Sequence, residues 1–229
     1  MVERYDIATG LWDFTVEHNW KLVVVFGIVL LVVPAAGLTS YATTILSQME
    51  FFAVLALSWD LIGGQTGYPS FGNMAFFGIG GYTTAVLVKT FGLGFYVSIA
   101  AGGGLAVLLA LPIGLVVFRL REEYFAIATL GVLLILQQVA RNLEITGKAT
   151  GIIMFDTPSN LVLYYLFAGI LLVEIIFALY LRSAQYGNVL NAIRDDEHKA
   201  ESLGINAASY KNSIWLFSAL FTGLVGGVW

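Results

Sequence analysis

Chemistry in this chain has to come from a few polar side chains set in a very apolar background. Three acidic residues lie in or beside long charge-poor runs: Glu50 and Glu174 deep within them, Asp60 near the end of one. A central acidic residue costs roughly 2.5 kcal/mol or more on membrane-insertion scales, so each deep carboxylate requires a partner, a water-filled cavity or a retained proton. The adjoining runs offer no cation at the same depth. A second group, Gln65, Thr66, Ser70 and Asn73, falls within residues 63–81, GGQTGYPSFGNMAFFGIGG, where seven of nineteen residues are glycine and Pro69 sits among them. A third is the charged stretch from Arg182 to Lys211, which holds Arg194, Asp195, Asp196, Glu197, His198, Lys199 and Glu201. Enzymatic arrangements are missing. No G-x-x-x-x-G-K-[ST] phosphate loop, no HExxH or comparable metal spacing and no nucleophile elbow occurs. His18 and His198 are far apart, and the lack of cysteine excludes disulfides and thiolate metal sites. The chain reads as a non-enzyme that needs no cofactor and no metal.

The elements that must position these groups follow from composition. Of the 229 residues, 59% are hydrophobic and 11% charged, with a mean hydropathy of +0.84. A soluble domain carries roughly 25% charged residues, so lipid is the main solvent here. A net charge of −4 gives no reason to expect nucleic-acid binding. The reading is all-α and polytopic, with about seven transmembrane helices. The apolar runs are Leu22–Leu38, Tyr41–Ile62, the glycine-rich stretch reaching Val88, Phe95–Val117, Tyr124–Ala140, Leu161–Leu181 and Asn212–Trp229. They are continuous rather than alternating, which favours helices over barrel strands. Residues 1–21, with Glu3, Asp6, Asp13 and Glu17 against Arg4 and with Trp12, Phe14 and Trp20, do not resemble a cleaved signal peptide and read as a cytoplasmic or interfacial segment. Residues 22–229 form the membrane domain.

Lysine and arginine set the orientation. With the N-terminus in the cytoplasm, Arg4, Lys21, Arg119, Arg121, Arg182, Arg194, Lys199 and Lys211 lie inside, and Lys89, Arg141 and Lys148 lie outside. Arg119–Glu123 and Arg182–Lys211 are then cytoplasmic and Ile145–Pro158 external. The cytoplasmic stretch 182–211 is long for a mere connection. Val189, Ile193, Ala200 and Leu203 recur at helical spacing within it. A short helix over 188–205, lying against the membrane face and stopped by Gly204, is the expectation.

The glycine-rich segment admits two readings. Small residues let helices approach closely in lipid. Alternatively, a helix broken over 63–73 lines a pathway, its freed backbone groups met by protein or water. The residues alone describe a polytopic protein that moves something, with a passive channel and an ion-coupled carrier both open.

Three blocks carry a resemblance that narrows this. The first is Val54–Gly67 (VLALSWDLIGGQTG) followed by Ser70–Tyr82 (SFGNMAFFGIGGY). The second is Arg119–Leu130 (RLREEYFAIATL), continuing to Thr146-Gly147 and Gly151-Ile152. The third is Tyr186–Asn206 (YGNVLNAIRDDEHKAESLGIN). In order and spacing they resemble the permease family of branched-chain amino-acid ABC importers, in particular the M-type subunit of the leucine/isoleucine/valine system. The resemblance runs from about Tyr41 to the end. It implies that 182–211 is the coupling loop docking on an ATPase, with Arg194, Asp195, Asp196, Glu197, Ala200, Leu203 and Gly204 at the contact. It implies that the first block is a discontinuous helix near the translocation path, with Gln65, Ser70, Asn73, Phe76 and Tyr82 lining it. It further implies ATP-binding subunits, a second permease subunit and an extracytoplasmic substrate-binding protein as partners, in a cell membrane. Similar permeases for urea or short-chain amides are the alternative. The chain departs from the family at Asn73, where histidine is frequent, and at Thr146–Ile152, where T-G-G-x-N-G-I is frequent. Family members also continue for several further spans, so a chain shortened at its C-terminus is the expectation.

Overall fold

The computed structural model describes residues 21–37, 39–154, 158–183 and 185–229. The N-terminal segment expected over residues 1–21 lies, apart from Lys21, outside the described residues. Among the described residues the regular structure is entirely helical. Helix α1 (Lys21–Val32) runs into a 3₁₀ turn, Val33–Ala36, where Pro34 stops the α-helical ladder. There follow α2 (Ser40–Thr66), α3 (Asn73–Phe91), α4 (Phe95–Val117) and α5 (Glu122–Asn142). A 3₁₀ turn at Lys148–Thr150 precedes α6 (Asn160–Ser183), α7 (Gln185–Asp195), α8 (Glu197–Ser202) and α9 (Ala207–Val228). Five of these, α2 to α6, are long and apolar enough to cross a membrane.

Local signals account for the boundaries. Thr39 caps α2 by accepting from the Ala42 N–H at 3.3 Å. Gly92 ends α3 at φ +64°, and the Leu93 N–H closes on the Leu87 carbonyl at 3.1 Å. The break expected over 63–73 is shorter than expected. Residues 63–66 stay in α2, and the chain leaves the ladder at Gly67, φ +77°, whose N–H bonds the Gly63 carbonyl at 3.2 Å. Residues 67–72 are then a turn between two antiparallel spans, not an interruption inside one.

Helix α9 is the axis of the bundle. It packs on α3, α4 and α2, and α2 packs on α6. Glycines make this possible. A Cβ on Gly80 would lie 2.6 Å from the backbone carbon of Gly223, and one on Gly223 would lie 2.6 Å from the Ala106 Cβ. A Cβ on Gly102 would come within 2.8 Å of the Gly80 carbonyl oxygen. Helices α3, α4 and α9 therefore meet backbone to backbone, the close-approach mode that small residues provide in lipid. Of the two sequence readings of the glycine segment, close helix packing holds for its second half, while its first half turns the chain between two helices instead of breaking one.

The loops sort to two ends. At one end the 67–72 turn, Phe118 and α7–α8 converge on Lys211. At the other, Lys89 Nζ donates to the Ile153 carbonyl (3.3 Å) and Asn160 Nδ2 to Thr44 Oγ1 (3.3 Å). This is the grouping of loops that the basic-residue pattern predicts.

Candidate transport pathway and coupling surface

At the first end, α7 and α8 form a two-helix hairpin laid across the base of the bundle. A single helix over 188–205 does not form because Asp196 takes extended backbone angles (φ −164°, ψ 101°) and caps α8, accepting from the Lys199 N–H at 3.0 Å. The stripe predicted from Val189, Ile193, Ala200 and Leu203 is thereby split. Ile193 and Ala200 bury against Ala207, with Val189, Ala192, Ile205 and Tyr210 around them. Leu203 is turned out and is 81% exposed. Gly204 follows at φ +86° and lets the chain double back into α9. Ala200 is thus covered by its own chain, and Leu203 is the apolar side chain this hairpin offers outward, with Glu201, His198 and Asp195 exposed beside it.

Bonds from this hairpin reach the 67–72 turn and its flanks. Arg194 Nη1 donates to the Gly64 carbonyl (2.8 Å), and its side chain lies against Gly67. Glu197 is held on both oxygens: Oε1 pairs with Lys211 Nζ at 2.6 Å, and Oε2 accepts from the Tyr68 hydroxyl. Lys211, 0% exposed, also lies 3.9 Å above the Tyr68 ring and 5.7 Å from the Phe118 ring. Desolvated contacts of a cation with an aromatic face are among the stronger of their kind. Arg182 bonds Asp60 Oδ2 at 2.9 Å and, with the Gln65 amide oxygen turned toward it, donates to that oxygen from Nε (2.9 Å) and Nη2 (3.2 Å). Asp60 therefore has a guanidinium partner rather than water alone.

Most of the predicted pathway residues sit in packed interior. Gln65 faces Arg182. Ser70 is buried and accepts from the Gly72 N–H at 3.1 Å. Asn73 Nδ2 donates to Ser218 Oγ at 2.9 Å, and Ser218 Oγ donates to the Ser58 carbonyl at 2.6 Å. Phe76 stands edge-on to Trp215, ring centres 5.0 Å apart. Tyr82 is the one of the five that, with Gly78, lines two cavities. One, of about 440 Å³, lies between α3, α4 and α5, with Leu105, Leu133, Gln137 and Arg141 in its wall. The other, of about 470 Å³, lies between α3, residues 150–154 and the end of α9. Each is large enough for a small molecule.

Among the described residues no cation pairs with either deep carboxylate, and a hydroxyl bonds Glu174 alone, neither oxygen of Glu50 having a hydrogen-bond partner. Glu174, 0% exposed, accepts from Ser58 Oγ at 2.6 Å across the α2–α6 interface. Glu50 is buried on the same face of α2, near the hydroxyl of Tyr164, which donates to the Leu30 carbonyl at 2.9 Å. The sequence reading did not single out Tyr68, Ser58, Ser218 or the special position of Lys211. One signal was available: Lys211 is the single cation at the start of an apolar helix rich in small residues.

Comparison with known proteins places this geometry. Residues 41–229 match the family described as branched-chain amino acid transport system / permease component. The chain is 28% identical over 207 residues to the high-affinity branched-chain amino acid transport system permease protein LivM of Escherichia coli (strain K12), covering 76% of this chain and 49% of that protein. It is 28% identical over 214 residues to the LivM protein of Salmonella typhimurium (strain LT2), covering 80% and 50% respectively. The chain thus spans about half the length of the curated relatives it matches. No solved structure matches it. The match over residues 41–229 shows that this multi-pass membrane chain belongs to the branched-chain amino acid transport system permease family.

Proposed function

We propose that this chain forms part of the membrane permease of an ABC importer for leucine, isoleucine and valine, working with ATP-binding subunits, a second permease subunit and an extracytoplasmic binding protein. The family match over residues 41–229 is the observation that carries this reading. The α7–α8 hairpin supports it: two short helices at one end, apolar inward and charged outward with Leu203 protruding, are a surface suited to an ATPase. In this reading Arg194, Asp195, Asp196, Glu197, Ala200, Leu203 and Gly204 shape the contact, and the N-terminus and the hairpin are cytoplasmic. Substrate passes beside α3 near Tyr82, while Gln65, Ser70, Asn73 and Phe76 hold the helices that border the path.

The test is ATP-driven uptake in vesicles holding the chain together with an ATPase encoded beside it and its binding protein. Competition among leucine, isoleucine and valine is the expected result. Competition by urea or acetamide instead would assign the alternative substrate class. Uptake that follows an ion gradient and ignores ATP would overturn the reading. Cysteines at Ala149 and His198, both exposed, should label from opposite sides of the membrane.

A further inference from the structure

We propose that Arg194, Glu197 and Tyr68 form the linkage that carries movement of the α7–α8 hairpin into the 67–72 turn and so into α3, with buried Lys211 as its fixed point on α9. This rests on the reading of the hairpin as an ATPase docking surface and assigns the mechanical route inward from it.

The turn is the soft joint of the route. Between Gly67 and Gly72 no helical ladder holds the backbone; the Gly72 N–H donates to Ser70 Oγ, and the Phe71 N–H to Thr129 Oγ1 of α5 at 3.2 Å. A push at this point acts on a joint rather than on a hydrogen-bonded helix. The hairpin grips the joint twice, from either side of Asp195 and Asp196. Arg194 holds the last turn of α2 at the Gly64 carbonyl and lies against Gly67, whose φ of +77° is one that residues with a side chain rarely adopt. Glu197 holds Tyr68, the next residue along.

Glu197 is a bridge because each oxygen serves a different element. Oε2 takes the Tyr68 hydroxyl on the turn, and Oε1 takes Lys211 on the central helix. Lys211 in turn touches the Tyr68 ring face. Displacing α8 therefore carries Tyr68 with it or breaks a charge-assisted bond in a site sheltered from water. Beyond the joint, Asn73 begins α3 and is tied to Ser218 of α9, and about one and a half to two and a half turns further on Gly78 and Tyr82 form the wall shared by both cavities. Hairpin, joint, α3 and cavity wall are thus in one covalent and hydrogen-bonded line.

The test separates transmission from structural support. Tyr68→Phe keeps the ring, and with it the Lys211, Phe118 and Phe125 contacts, and removes only the hydroxyl. Arg194→Met removes the donor to Gly64. In vesicles holding the assembled transporter, uptake and ATP hydrolysis are measured on the same sample. Tyr68→Phe should lower molecules transported per ATP at least about fivefold, the low end of typical coupling between sites. Tyr68→Phe should do so while assembly and hydrolysis stay near wild type, and the double variant should abolish uptake. Uptake and hydrolysis falling together would show mere structural support, and neither changing would show no role; either result overturns the proposal. A second measurement needs no ATPase. The chain has no cysteine, so spin labels at His198→Cys and Phe71→Cys, both exposed, report the distance from hairpin to joint in the solubilised chain. A single narrow distance is expected in wild type and a broadened one in the double variant; a narrow distance in the double variant overturns the linkage. Failure of the wild-type chain to associate with any ATPase would instead break the docking reading and leave the spin-label result standing.

Discussion

Helices α9 and α5 are nearly equal in length, 22 and 21 residues, yet they meet different surroundings. Thirteen residues of α9 are buried; between residues 123 and 142, α5 buries Phe125 and Thr129 alone. The better-buried helix is the one richer in small and hydroxyl-bearing residues. α5 passes for a membrane span on composition, while α9, with Lys211, Ser218, Thr222 and three glycines after residue 222, does not. In lipid the outer helix needs apolar side chains because its solvent is apolar, while the inner helix needs small residues for close approach and polar ones that find partners. Side-chain size, more than hydrophobicity, separates the inner helix from the outer one.

The sharpest way to break this contrast is to add volume to both helix environments. Gly80→Leu drives a Cβ into the backbone of Gly223, which cannot move as a side chain end can. Overpacking typically costs about 1–3 kcal/mol and more against backbone, so loss of folded protein is expected. Gly131→Leu on α5 meets nothing within 4 Å and should leave the yield unchanged. Size-exclusion profiles of the two tagged variants compare them directly, and equal damage would refute the inside-out assignment.

Charge gives the next contrast. Lys211→Met leaves Glu197 facing Tyr68 without its cation. Removing one member of a buried pair costs about 3–5 kcal/mol, whereas replacing both with neutral groups is often tolerated. Lys211→Met should therefore lower the melting temperature strongly, and adding Glu197→Gln should recover most of the loss. Lys148→Met at the other end, whose pair with Glu144 is largely exposed, should shift it little, as surface pairs contribute about 0–1 kcal/mol. No recovery in the double variant would mean that Lys211 acts through its aromatic contacts rather than through Glu197.

What the sequence made legible follows the same division. Helices α2, α4, α5 and α6 are readable because each coincides with a continuous apolar run. The start of α9 was placed at Asn212, five residues late, because the apolar run was read as the helix and Asn206, which caps it by accepting from the Ser209 N–H at 3.1 Å, was not. Glycine density points to a helix broken over 63–73, whereas the ladder runs on through Gly63 and Gly64 to Thr66 and turns at Gly67, a position that glycine content alone does not distinguish. At the candidate site, charged residues of the hairpin were visible as a run. Which faced inward was not, since Asp196 interrupts the helical period and turns Leu203 out. Tyr68 left no periodic signal, because a turn residue is positioned by what grips it.

A smaller effect separates the two helices through hydrogen bonding. Trp215 of α9 donates from Nε1 to the Ala110 carbonyl of α4 at 3.0 Å, with Phe76, Phe118 and Phe125 around its ring. Trp215→Phe removes the donor and part of the ring and should cost about 1–3 kcal/mol in thermal or chemical unfolding. Tyr124→Phe on the exposed face of α5 should be neutral. A neutral Trp215→Phe would mean that the α4–α9 contact rests on its glycines alone.

The smallest expected effect lies at the surface, in the cap that divides α7 from α8. The Lys199 side chain bonded to Asp196, followed by the Lys199 backbone N–H, holds the Asp196 carboxyl below its ordinary 3.8, and the same carboxylate raises the Lys199 ammonium above its ordinary 10.5. The signs oppose each other. A depressed acid favours the capped helix at pH above its ordinary value, and that support is lost as pH falls through the depressed value. A raised base favours it below 10.5, and that support is lost as pH climbs through the raised value. Protection of the Lys199 and Ala200 amides from hydrogen exchange, corrected for the intrinsic rate, should therefore be flat across the neutral range and decline at both extremes. Both groups are open to water, so added salt should shrink the change. Asp196→Asn keeps a capping oxygen and should keep the neutral protection while losing the acid decline; Asp196→Ala should lose protection at every pH. An acid decline that persists in Asp196→Asn would place the titrating group elsewhere. An unprotected α8 in wild type would show that the hairpin, unlike the Lys211 pair beneath it, is ordered only against a partner.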